Sequence, residues 1–224
     1  MCARYTMATA PDELVQEMEA TLVQGAIEPH YNIAPTQSAP IVVESREGER
    51  RLGLARFGLV PFWASDLSIG TKLLNARIET VDTKPAFRDA MRRHRCLVVA
   101  DGFYEWRREG KRKVPFYFQL PGGRPFGMAG LWAVWKDAAG ERLSSFTILT
   151  RPAEGLVAEI HDRMPILVAH DAYGAWLSRE LTDAGRARDL LIAHRSGELV
   201  RWEVSPRVND VHNDDASLRE PLAS

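Results

Sequence analysis

The chain has 224 residues, of which 45% are hydrophobic and 26% charged, a composition that suits one globular domain with a core of ordinary size. Its 29 Lys and Arg nearly balance 30 Asp and Glu, for a net charge of −1, so no global basic field advertises nucleic acid, and a DNA-binding face would have to come from local segregation of cations. Two cysteines and six scattered histidines give neither a disulfide framework nor metal-ligand spacing. No metal or other cofactor is therefore expected. No apolar run reaches membrane-spanning length, and no signal segment precedes the first motif, so a cytoplasmic setting is the expectation.

In chain order, Cys2 is the first residue able to do chemistry. Trimming of Met1 before a small residue would expose an α-amine beside the thiol. Amine and thiol would titrate near pH ~8 and ~8.5, so both nucleophilic forms would be accessible at neutral pH. The bland alternative is an incidental cysteine at a loose terminus. Thr9 then reads as a helix cap before Pro11. Leu14, Met18 and Leu22 repeat at helical spacing, and Gly25 is the stop. Tyr31 to Thr36 is turn chemistry. Ile41 to Glu44 and Leu52 to Leu59 read as strands around a Glu47-Gly48 turn. Pro61 and Trp63 follow, either as core filler or as an exposed apolar wedge.

Leu73 to Thr80 alternates apolar and polar residues, which puts Asn75, Arg77 and Glu79 on one face. Ala86 to Arg93 predicts a short helix ending in the cationic run Arg92-Arg93-His94-Arg95, where the helix dipole favours positive charge. Cys96 to Ala100 is a continuous apolar run, expected as a central strand with an inert Cys96. Phe103-Tyr104-Glu105-Trp106 sets one carboxylate among three aromatics. If buried, Glu105 would have a raised pKa and suit acid–base work; if half-exposed, it is an ordinary surface carboxylate.

Val114 to Leu120 and Phe126 to Trp135 predict a hairpin across Pro121-Gly122-Gly123. Ser145 to Thr150 predicts a strand, and Arg151-Pro152 a break into a helix through Ile160. His161, at that helix's end, is either a switchable acid–base group or a helix cap. Two further helices, Ala172 to Leu177 and Asp183 to His194, and a last strand, Leu199 to Val204, precede a tail from Asp214 to Ser224 expected to be disordered. Interleaved strands and short helices without a βαβ rhythm predict a single α+β domain over residues 1–213. Its sheets should be mostly antiparallel, curled and barrel-like, with peripheral helices.

Several of these stretches coincide in order with one family: Met1-Cys2-x-Arg4, Tyr31-Asn-Ile-Ala-Pro35, Gly58 to Trp63, Asn75-Ala-Arg77-x-Glu79-Thr80, Asp101 to Trp106, and His161-Asp-Arg-Met-Pro165. The chain resembles the SOS-response-associated peptidase family of abasic-site shield proteins over roughly residues 2 to 213. The resemblance implies binding of single-stranded DNA at an abasic site, where Cys2 forms a Schiff base and then a thiazolidine with the ring-opened sugar. It implies that Asn75 positions the reacting centre, Glu105 shuttles protons, and His161 assists ring opening and reversal. Arg4 and Arg77 would hold flanking phosphates, Thr150 would contact the site, Pro35 and Trp63 would form a wedge beside the lesion, and Arg163 would be a further phosphate contact. A monomer engaged on the nucleoid and free of cofactors is the accompanying expectation.

Two departures from the family stand out. Ala3 replaces a usual glycine and would be strained by about 1 kcal/mol if that position needs positive φ. His212 stands where lysine is common. The family name also implies a self-processing peptidase with Cys2 as N-terminal nucleophile. A third alternative is a plain, non-covalent single-strand-binding module.

Overall fold

A computed structural model describes residues 2–23, 26–193 and 197–222. Its strands are β1 (Tyr5–Met7), β2 (Thr21–Leu22), β3 (His30–Ile33), β4 (Ser38–Glu44), β5 (Arg50–Phe57), β6 (Asn75–Arg77), β7 (Arg95–Ala100), β8 (Gly102–Glu109), β9 (Arg112–Gln119), β10 (Phe126–Lys136), β11 (Arg142–Pro152), β12 (Arg163–Pro165) and β13 (Val200–Glu203). Short helices α1 (Pro11–Glu17), α2 (Arg88–Arg93), α3 (Gly155–Ala158), α4 (Tyr173–Leu177) and α5 (Ala184–Ala193) lie between them. This is the α+β domain of curled, mostly antiparallel sheets expected from the sequence.

β11, β10, β7, β4 and β5 follow one another in the larger sheet, and a parallel pairing of β5 with β11 closes them into a barrel. Closure leaves these strands without a free edge between them. β7 is buried at every position, as a central apolar run should be. Phe57 and Phe146 stack inside at 5.2 Å, with Tyr5 edge-on to Phe57 at 5.7 Å. The second sheet runs β13-β9-β8-β1-β3 and has its own small core of Tyr104, Tyr117, Val204, Val208 and Leu218.

The register of this second sheet positions the first residues of the chain. Tyr5 lies opposite Phe103 in the antiparallel β1–β8 pair, and Tyr104 N–H donates to Arg4 O at 3.0 Å. Two residues back along β1 and two forward along β8, the chain near Cys2 and Ala3 comes beside Glu105. At the start of β8, Gly102 leaves room for the Tyr117 ring, because a Cβ there would lie 2.1 Å from the Tyr117 hydroxyl. The barrel supplies the opposite wall: β6 runs parallel to β11 with Asn75 level with Ile148.

Five expectations are corrected. Thr9 is not a helix cap: its hydroxyl donates to Asp101 at 3.3 Å, and Ala10 takes the cap position without a side-chain bond. The helix stops at Glu17, and Thr21–Leu22 pairs with β5 instead, so the helical spacing fails at Leu22, while Gly25 lies outside the described residues. The two strands flanking Pro121-Gly122-Gly123 do not form a hairpin. β9 pairs with β8 and β13, β10 pairs with β7 and β11, and the positive φ of Gly122 (80°) and Gly123 (71°) turns the chain from one sheet to the other.

The helix expected to run from Pro152 to Ile160 is a single turn, because β11 continues to Pro152 in register with β12. The tail is not disordered as far as residue 222. A 3-10 turn, Ala216–Arg219, buries Leu218, Val204 bridges to Pro221, and Asp214 accepts from Tyr31 N–H at 2.5 Å. The expected helix end at His194 also falls outside the described residues.

Candidate active site

Cys2, Asn75, Glu105 and His161 come from four separate stretches of chain and meet around one cleft. Two hollows of about 450 and 610 Å³ share Ala3, Arg108 and His161 along their lining. The first adds Arg4, Glu105, Trp106, Lys113 and Asn209; the second adds Lys72, Asn75, Arg77 and Arg163 among others. Cys2 is fully buried beneath them.

Asn75 Nδ2 donates to the Cys2 carbonyl and to the Leu74 carbonyl, each at 2.9 Å. The amide therefore fixes the backbone of Cys2 to the barrel wall. Asn75 Oδ1 is buried and accepts no hydrogen bond from the described residues, which leaves an acceptor over beside Cys2.

Glu105 is 2% exposed, and burial lifts its carboxyl to about 7. Burial also drives the Cys2 thiol far above its ordinary range, with the Glu105 charge adding to the effect, so the sulfur stays protonated. Glu105 is thus the buried carboxyl of the two alternatives that its aromatic surroundings left open, not a surface carboxylate. His161 is half-buried at the turn after α3, and burial lowers its pKa. Its Nδ1 lies 2.9 Å from the Arg163 backbone N–H and also 2.9 Å from the carboxylate of Asp162. The first contact needs a lone pair on Nδ1, the second a proton. Burial favours the neutral ring, and the Asp162 side chain is 83% exposed, so the backbone contact decides: Nδ1 accepts and Nε2 carries the proton.

Behind His161 stands Arg163, which the resemblance offered as a phosphate contact and which is committed internally instead. Arg163 is 7% exposed, and its guanidinium forks onto both oxygens of Glu79 at 2.6 and 3.0 Å and donates to Thr150 O at 2.7 Å. The fork holds Glu79 below the usual carboxylate range and fixes the chain segment that supplies the N–H to His161. The alternation expected to carry on to Glu79 stops with β6 at Arg77, and Glu79 lies in the turn that follows.

The residues expected to touch DNA separate into two groups. Arg4, Thr150 and Arg163 have internal partners. Arg4 donates to Asn32 Oδ1 at 2.8 Å and to the carbonyls of Val208 at 2.9 Å and Asn209 at 3.4 Å, tying the Cys2 strand to the C-terminal segment. Thr150 is buried against Arg163. Arg77 is exposed on the cleft and forms no ion pair among the described residues. Pro35 is half-buried and precedes Thr36, a β-branched residue held at φ 78° by bonds from Thr36 N–H to Phe57 O (2.9 Å) and from Arg56 to Thr36 O (2.8 Å). Trp63 is 50% exposed and Phe62 67% exposed on a turn pinned by Trp135 Nε1 donating to Ala64 O at 2.8 Å. Trp63 is therefore an exposed apolar group and not core filler; neither it nor Pro35 lines the cleft itself. Ala3 is not among the residues with positive φ, so the methyl that replaces glycine costs no backbone strain.

Fold and cleft together bring a buried cysteine, a buried carboxyl and a half-buried imidazole to the junction of a closed barrel and a second curled sheet. The sequence profile described as "SOS response associated peptidase (SRAP)" matches residues 1–211, and the chain belongs to that family. It is 36% identical to "Abasic site processing protein YoaM" of Bacillus subtilis, with 97% of each chain covered. It is 27% identical to "Abasic site processing protein YedK" of Escherichia coli, over 99% of this chain and 100% of that one. A crystal structure of a protein from Bacteroides thetaiotaomicron superposes with a TM-score of 0.86 at 23% identity, covering 99% of this chain and all (100%) of that one, which establishes the shared fold.

Proposed function

We propose that this protein processes abasic sites in single-stranded DNA by forming a covalent thiazolidine between Cys2 and the ring-opened sugar. The names of its relatives support the substrate. The observation that carries the chemistry is the pinning of Cys2 by Asn75 in a cleft that also holds a carboxyl titrating near neutrality and a neutral imidazole.

Once Met1 is removed, the α-amine of Cys2 attacks the aldehyde carbon C1 to give a carbinolamine. The departing hydroxyl takes a proton and leaves as water, and a carbon–nitrogen double bond forms. The thiol sulfur then adds to that carbon, its proton passes to the nitrogen, and a five-membered ring closes with the net loss of one water. Glu105 takes the proton from the amine and returns it to the departing hydroxyl. A pKa of about 7 lets it exist in both forms at working pH. His161 Nε2–H hydrogen-bonds to the sugar ring oxygen while the C1–O bond breaks and the C1 hydroxyl proton passes to that oxygen, and Asn75 Oδ1 is the acceptor that orients the amine. Arg77 and the exposed Trp63 suit a strand laid across the mouth, as phosphate contact and stacking surface. The buried, protonated thiol favours amine attack first and sulfur addition second. It argues against the peptidase alternative, which needs a ready thiolate.

Intact mass spectrometry tests this with an oligonucleotide bearing an abasic aldehyde. The expected product has lost methionine and gained the oligonucleotide minus one water. Cys2→Ala should give no adduct, and Cys2→Ser an imine trapped only by borohydride. Peptide hydrolysis without DNA, with no adduct on the oligonucleotide, would overturn the proposal in favour of a peptidase.

A further inference from the structure

The β8–β9 hairpin ends in seven residues, Arg107 to Lys113, five of them Arg or Lys. Its two faces treat charge differently. On one face Arg107 donates to Glu109 at 2.9 and 2.6 Å, lies 4.9 Å over the Phe116 ring, and leaves Glu109 directly opposite Arg112. That face is balanced. On the other, Arg108 lies directly opposite Lys113 in the register. Both are exposed, and neither forms an ion pair among the described residues. Like charges directly opposite across an antiparallel pair destabilise it, so nothing in folding accounts for this pairing.

The pair is also placed at the chemistry. Both residues line the hollow that contains Glu105, and Arg108 lines the second hollow beside Asn75, Arg77 and His161 as well. An anion between the two cations would turn a repulsion into two attractions. We infer that Arg108 and Lys113 form a phosphate clamp for the phosphodiester that flanks the abasic sugar on the side away from Arg77. The inference rests on the function proposed above and extends it. The strand crosses the cleft from hairpin to barrel wall, so the protein requires nucleotides on both sides of the lesion. Arg108 brings a guanidinium fork suited to two phosphate oxygens and Lys113 a mobile point charge.

The test is a salt titration of binding, followed by fluorescence anisotropy. The probe is a single-stranded oligonucleotide with an internal tetrahydrofuran site, which has no aldehyde and cannot react. The double variant Arg108→Ala/Lys113→Ala should bind about tenfold more weakly, and its slope of log K against log salt should fall by roughly 0.7, one phosphate's share for a single strand. Arg93→Ala, on α2 outside the cleft, should bind as the wild type does. Arg108→Glu restores an opposite-charge pair with Lys113, so its thermal midpoint should hold or rise while affinity falls. That combination separates loss of the clamp from loss of the fold. Wild-type affinity and slope in both hairpin variants would overturn the clamp, whether or not the aldehyde oligonucleotide forms an adduct. A wild-type protein that binds through the hairpin yet forms no adduct would overturn the covalent chemistry and leave the clamp standing.

Discussion

The floor of the cleft and its rim treat charge in opposite ways. On the floor, Cys2 is 0% and Glu105 2% exposed, and burial pushes both thiol and carboxyl toward their neutral forms. On the rim, Arg77, Arg108 and Lys113 are exposed to water. Arg4 and Arg163 lie between, their guanidinia committed to Asn32, Glu79 and backbone carbonyls. Proton transfer needs groups whose two forms are close in energy, and desolvation supplies that. Holding a polyanion needs charge that does not titrate, and hydration preserves it. The arginines here fall on both sides of that divide: Arg4 and Arg163 are committed to internal partners, and Arg77 and Arg108 face solvent.

The largest break in this contrast comes from removing the titrating group on the floor. Glu105→Gln should slow adduct formation by about 10²-fold or more, within the usual range for a general acid–base group, at unchanged affinity for the unreactive oligonucleotide. The wild-type rate should show a break near pH 7 that the variant lacks. Stability should move the other way. The folded carboxyl titrates near 7 against 4.5 when unperturbed, so the wild type loses stability as pH rises through that window and ionisation is forced on a buried group. The amide has nothing to ionise. The melting temperature of Glu105→Gln should therefore rise above that of the wild type between those pH values, by the equivalent of roughly 3 kcal/mol at most. Loss of rate together with loss of stability at high pH would make Glu105 a structural residue instead.

The sequence made the floor legible and the braces obscure, for a physical reason. A carboxylate inside Phe103-Tyr104-Glu105-Trp106 announces its own desolvation, and strict alternation put Asn75 and Arg77 on one face. Burial of a cation is not local information. Arg4 is occupied by carbonyls at Val208 and Asn209, across almost the whole chain, and Arg163 by Glu79. No window of sequence contains both partners. The absence of a β9–β10 hairpin has the same origin: a Gly-Gly turn between apolar strands is the local signature of a hairpin, and only the pairings of β9 with β13 and of β10 with β11 pull the two strands into different sheets. The C-terminal segment read as disordered because its charged residues find their partners far away, as Asp214 does at Tyr31.

The brace behind His161 gives a smaller effect. Glu79→Gln keeps the side-chain shape but removes the charge and one of the two acceptors of the fork from Arg163. With the segment less firmly held, the Arg163 N–H should hold Nδ1 less strictly, and the imidazole should populate both tautomers. Nitrogen NMR of His161 should show that mixture, and the rate of adduct formation should fall about fivefold, with affinity for the unreactive oligonucleotide unchanged. Glu79→Asp, which restores the charge, should recover part of the rate. If the rate falls while the tautomer stays fixed, Glu79 acts on the substrate and not through His161.

The smallest effect is expected at Ala3, where the chain departs from the glycine usual in its family. Ala3 borders both hollows and sits between Cys2 and the arginine that anchors its strand. Its φ is not positive, so glycine would relieve no strain. What glycine would add is backbone freedom, at a cost of roughly 0.5–1 kcal/mol. Ala3→Gly should therefore lower the melting temperature slightly and slow adduct formation by less than about threefold. A marked acceleration would mean that the methyl group narrows the passage between the hollows, and the cleft would then be gated by one carbon atom at Ala3 and not by its charged rim.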